Sequence, residues 1–117
     1  MTLIEFREVS KYLKKEYYFN NLKRQLSKDF NDASFDEKLQ LISLEKSDSL
    51  LSLVKRYLNQ VFDLDSGLFF RLMYRVDLPE ITIPQKILGE EIDFENLGLL
   101  VLKRELLKIV LREKYSS

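Results

Sequence analysis

Two basic rows hold the residues best suited to chemistry. Arg71 and Arg75 stand four apart in "RLMYRVDLPE", residues 71–80. Residues four apart share a helix face, so both guanidiniums would project together. A pair of aligned guanidiniums can grip phosphate or carboxylate through paired N–H donors. Arg104, Lys108 and Arg112 repeat the spacing near the end of the chain. If the two rows face one groove, they form an interaction or anion-binding site. The structural alternative has the apolar stems covering surface while the heads pair with the acidic middle of the chain.

Aromatic residues are the second candidates. Tyr17, Tyr18 and Phe19 are consecutive within "KKEYYFNNLKRQ". Tyrosine beside arginine or lysine suits an interface anchor. The same mixture can stack nucleic-acid bases. Acidic clusters offer less. "GEEIDFE" gathers Glu90, Glu91, Asp93 and Glu95, but acids there also favour the start of the helix that follows. "DLDSG" opens like a calcium loop with Asp63 and Asp65. Its glycine arrives one position early, and Tyr74 stands where the closing glutamate belongs.

The missing residue types exclude more. The 117 residues contain neither histidine nor cysteine. Disulfides, thiolate metal sites, cysteine nucleophiles and a Ser-His-Asp triad cannot be built. A bundle di-metal site that relies on Glu-x-x-His pairs fails too. The three glycines, at 67, 89 and 98, are too scattered for a phosphate-cradling loop. The expectation is a binding protein that is not an enzyme and needs no cofactor or metal.

Charge sums to zero but is unevenly placed. Residues 1–30 carry seven Lys/Arg against four Asp/Glu, residues 31–100 seven against thirteen, and residues 101–117 five against two. Both ends are mildly basic, a weak footprint for nucleic-acid binding. The longest apolar run, "LGLLVL", is far shorter than the ~20 residues of a membrane span. The opening residues lack a secretory core. The expectation is a cytoplasmic protein with no membrane association.

The elements that must position these residues read as helices. Leu, Lys and Glu are abundant, and they are good helix formers. A long N-terminal helix is expected over about 2–29, with either a bend at 17–21 capped by Asn20 or Asn21, or an unbroken run. Ser34 and Glu37 form a capping box for a short helix bearing Phe35, Leu39 and Ile42. Ser47 or Asp48 would cap a helix over 49–62, and Asp65 or Ser66 one over 67–76 that stops before Pro79. "PEITIP" reads as an extended connector. Pro84 suits a short helix to about Leu88, stopped by Gly89. Asp93 caps the last helix, which is apolar on several sides and therefore central.

These patterns predict one all-α domain over 1–117. It is a compact bundle of five to seven helices with a long N-terminal helix and a long, largely buried C-terminal one. The function expected is a small interaction module that binds a protein partner or itself, as a homodimer. A nucleic-acid-associated regulator using the basic ends is the second reading.

Overall fold

Apolar residues at helical spacing form the amphipathic faces of helices. The computed structural model describes residues 6–86 and 91–115. Among these are six α-helices: α1 (Phe6–Leu13), α2 (Glu16–Phe30), α3 (Ala33–Gln40), α4 (Ser49–Leu64), α5 (Ser66–Val76) and α6 (Phe94–Tyr115). Short 3-10 turns lie at Leu44–Lys46 and Glu80–Thr82. The all-α bundle is the fold.

The long N-terminal helix is corrected to two helices. The break falls at residues 14–15, not at 17–21. Lys15 is extended (φ −95°, ψ 121°) and no side chain caps α2. Leu13 and Phe19 flank the break, and both are buried in the core. Around the break, the Tyr12 and Tyr18 rings meet edge to face at 4.6 Å, and the Lys15 ammonium lies over both. Asn21 takes no capping role and donates to the Tyr17 carbonyl within the helix.

Other boundaries follow local chemistry. Asn31 ends α2 in the left-handed conformation (φ 47°), which asparagine tolerates. Asp32, rather than Ser34, caps α3 by accepting the Phe35 amide at 3.1 Å. Asp65 caps α5 through the Leu68 amide, and Asp93 caps α6 through the Asn96 amide. Asp48, at the N-cap of α4, makes no side-chain cap bond, and Ser47 contributes only its backbone carbonyl, which accepts the Leu50 amide. Residues 84–86 are not helical, and Gln85 bridges antiparallel to Ile92. The rest of the short helix expected there, with Gly89, lies outside the described residues. "PEITIP" carries a 3-10 turn instead of running fully extended.

α6 is the central element. It packs against α1, α2, α4 and α5, and α3 closes over α2 and α4. Leu97, Val101, Leu102, Leu106 and Ile109 of α6 are buried in one core cluster with Leu22, Leu26, Leu50, Val54 and Leu58. Each fully buried leucine contributes roughly 1.5–3 kcal/mol. At Gly98 α6 lies close to α4: a Cβ there would just contact Leu51 Cδ1 and Lys55 Cβ at 3.4 Å. None of the helices among the described residues is long and apolar enough to cross a membrane.

Candidate functional site

The α6 basic row turns inward. α5 ends in a Schellman motif: Leu78 N–H donates to the Met73 carbonyl at 2.9 Å and Asp77 N–H to the Tyr74 carbonyl at 3.0 Å. Asp77 takes the left-handed conformation this requires (φ 73°). Carbonyls at the negative end of the helix still need donors. Lys108 Nζ donates to the Arg75 carbonyl at 3.1 Å, and Arg104 Nε to the Asp77 carbonyl at 3.3 Å. Arg104 also pairs with the Asp77 carboxylate, holding that carboxyl below its usual range.

Lys108 reaches deeper as well. It donates to Asp29 Oδ2 at 2.8 Å and to Glu105 Oε1 at 3.0 Å. Gln25 Nε2 donates to the same Asp29 oxygen at 3.0 Å, and the Arg112 guanidinium donates to Gln25 Oε1. The result is a polar network clamped between α2, α5 and α6. Glu105 is fully buried. Burial, reinforced by the neighbouring Asp29, pushes its carboxyl up to about 9. Among the described residues its Oε2 meets no donor. Protonated, the carboxyl becomes a donor itself, with the Asp29 carboxylate in reach. Burial also pushes Asp29 up, but bonds from Glu105, Lys108 and Gln25 outweigh it and hold Asp29 low. For Lys108 burial opposes the charge, and the two carboxyls overcome it. A carboxyl–carboxylate pair sharing a proton could do acid–base work, but neither acid lines any of the described depressions.

The α5 arginines point elsewhere. Arg71 and Arg75 lie on the outer face of α5, where Gly67, Leu68, Phe70 and Tyr74 complete a shallow groove. The structure therefore sets the two basic rows apart. Only the Arg75 carbonyl, not its guanidinium, meets the α6 row. Of the aromatic candidates, Tyr17 is exposed, and Tyr18 is half-buried with its hydroxyl donating to Glu113. Phe19 is corrected to a core residue, only 2% exposed.

A deeper depression opens beside α5, between α3 and α4. It encloses about 260 Å³, with Phe35, Leu53, Tyr57 and Val61 as apolar lining and Lys38 and Arg56 as cations. Phe30, Phe35 and Tyr57 pack with ring centroids 4.6–5.2 Å apart. The Tyr57 hydroxyl donates to Asp32 Oδ2 at 2.8 Å. The Phe35 amide does most to hold Asp32 below the carboxylate range; burial opposes it and Tyr57 adds to it. Burial, then Asp32, pushes the Tyr57 hydroxyl above its ordinary range. Tyr57 is thus a fixed, neutral wall of the cleft.

Leu68 joins the two depressions and a third one, which Arg75, Phe30 and Asp32 help to line. No family model, curated protein or solved structure matches this chain. Function must be read from the geometry alone.

Sequence reasoning missed Asp29, Glu105, Asp32 and Tyr57. Glu105 had a signal, because it falls inside the stripe of Val101, Leu102, Leu106 and Ile109. A charged residue in the middle of an apolar face requires a buried partner. Lys108, three positions along the helix, is one such partner; Asp29, 76 positions away and bonded to the same ammonium, has no signature in spacing.

Proposed function

We propose that this chain is a small helical protein-binding module, docking its partner on the outer face of α5 and in the cleft beside it. The observation that carries this reading is the meeting of three depressions at Leu68, bordered by exposed apolar and aromatic side chains. Leu64 is 86% exposed, Tyr74 85%, Leu68 38% and Phe70 36%. A folded domain gains nothing by leaving such groups in water, and contiguous apolar exposure marks interaction surfaces. Tyrosine and arginine, the residues richest in binding energy at interfaces, stand together here as Tyr74, Arg71 and Arg75.

A nucleic-acid reading draws on cations at the two ends of the chain. Arg104, Lys108 and Arg112 are each hydrogen-bonded within the fold, which reduces the cations that reading can call on. Self-association is the form of the protein-binding reading in which the partner is a second copy.

Site-specific photo-crosslinking tests the proposal. A benzophenone side chain is placed at Tyr74 and, as a control on another exposed position, at Asn20. Protein adducts formed at Tyr74 and not at Asn20 are expected. Equal labelling at both positions, or adducts with nucleic acid alone, would overturn the reading. Light scattering on the same samples distinguishes a second copy from a different protein.

A further inference from the structure

We propose that the occupant of the α5 face is an acidic amphipathic segment of a partner protein. Its apolar side chains enter the Leu68 cleft and its carboxylates meet the surrounding cations. This rests on the protein-docking reading and adds the chemistry of the partner.

Charge carries the inference. Residues 31–100 are strongly acidic, with seven cations against thirteen acids. Among the described residues, four of those seven cations, Lys38, Arg56, Arg71 and Arg75, line the three depressions, whereas Asp32 is their single acidic lining residue. The segment thus places most of its scarce positive charge around one apolar floor. Among the described residues none of the four cationic heads is in an ion pair. Asp32 is already occupied by the Tyr57 hydroxyl and the Phe35 amide. Asp65 stands at the edge beneath Gly67, its Oδ1 accepting the Leu68 amide. The α6 cations show the contrast, because each of them already has an acceptor within the fold.

The apolar part sets the shape of the segment. The cleft between α3 and α4 has room for one large apolar side chain against Tyr57, Val61 and Leu53. The groove along α5 continues from Leu68 past Phe70 to Tyr74. Apolar side chains a few residues apart, with carboxylates between them, satisfy both. Guanidiniums bind carboxylates through paired N–H donors and also lie flat on aromatic rings. Phosphate groups would satisfy the cations but leave the apolar floor uncovered.

The test uses the full chain and fluorescence anisotropy with defined probes. One is a labelled peptide with Leu and Phe at helical spacing and Glu between them. The others are its Lys-for-Glu counterpart, an all-Glu peptide lacking apolar residues, and a single-stranded oligonucleotide of similar charge. The acidic amphipathic peptide should bind roughly tenfold or more tightly than each of the others. Arg71→Glu with Arg75→Glu, both on exposed positions, should reverse the preference toward the Lys peptide. Leu68→Ser should weaken binding of both peptides, with circular dichroism confirming that the fold is retained. Equal binding of the Glu and Lys amphipathic peptides overturns the charge assignment while leaving α5 as a protein-docking face. Equal binding of the all-Glu peptide or the oligonucleotide overturns the amphipathic segment in favour of a general anion surface. No binding of any peptide, together with crosslinks at Tyr74, overturns the inference alone. No binding together with no selective crosslinks overturns both readings.

Discussion

Arg71 and Arg75 on α5 and Arg104, Lys108 and Arg112 on α6 share one spacing and meet opposite surroundings. The α6 row lies against the C-terminal end of α5 and against Asp29 and Gln25 of α2, so its heads are consumed inside the fold. The α5 pair looks outward from the helix that the α6 row caps. Identical periodicity therefore makes a structural clamp in one place and an available surface in the other. The difference lies in which neighbour the helix is packed against, and the spacing alone carries no trace of it.

That contrast can be broken at its strongest point first. Lys108→Met leaves Asp29 and Glu105 facing each other without their cation. Removing one partner of a buried ionic group costs about 3–5 kcal/mol. Urea denaturation should show a clear fall in the midpoint, and a change below about 1 kcal/mol would mean that the network carries little of the stability.

The next effect concerns pH. The folded-state pKa of Glu105 is raised from its ordinary 4.5 to about 9. Between those values the folded chain holds a proton that the unfolded chain has released. Stability therefore falls as pH rises across that window, by at most about 1.4 kcal/mol per pH unit. Asp29 acts in the opposite sense: its pKa is lowered, so its contribution is present above its unfolded value and lost in acid. Glu105→Gln keeps a donor for Asp29 and removes the first slope. Stability measured from pH 5 to 9 should be flatter in this variant than in the parent, and an unchanged slope would show that Glu105 is ionised in the fold.

Smaller effects sharpen the comparison. Arg104→Ala removes the donor at the end of α5 and the pair with Asp77, and should cost about 1 kcal/mol. Arg71→Met with Arg75→Met should change stability by no more than about 0.5 kcal/mol, as expected for surface substitutions outside any network. If the α5 pair proves as costly to remove as Lys108, the division into clamp and surface is wrong.

Much of the fold was legible. Apolar stripes at 3.6-residue spacing located α4, α5 and α6; Asp93 was legible as the cap of α6, and Asp65 as one of two candidates for the cap of α5. The ends of "DASFDE" and "LKKEYY" were harder. Asp32 and Ser34 both suit an N-cap by local chemistry, and the Tyr57 hydroxyl gives Asp32 a second partner that Ser34 lacks. The break at residues 14–15 has no helix breaker at all. Leu13 and Phe19, on either side of it, are both buried in the core.

The candidate site was half legible for a related reason. Arg71 and Arg75 could be placed on one face from their spacing, and Gly67, Phe70 and Tyr74 follow on the same turns. Lys38, Arg56 and Tyr57 come from other helices. Their arrival around Leu68 depends on how α3 and α4 pack, as does the isolation of the α6 row behind α5.

By itself the sequence determined the class of the fold, the helical faces and the chemistry that is out of reach without histidine or cysteine. These are properties of composition and of period, which act between near neighbours. Only the tertiary structure decided that Glu105 is buried and its pKa raised, that Lys108 is a clamp, and that cations of an acidic segment gather around one apolar floor. Those outcomes rest on desolvation and on contacts between residues tens of positions apart, and such contacts exist only once the helices have packed.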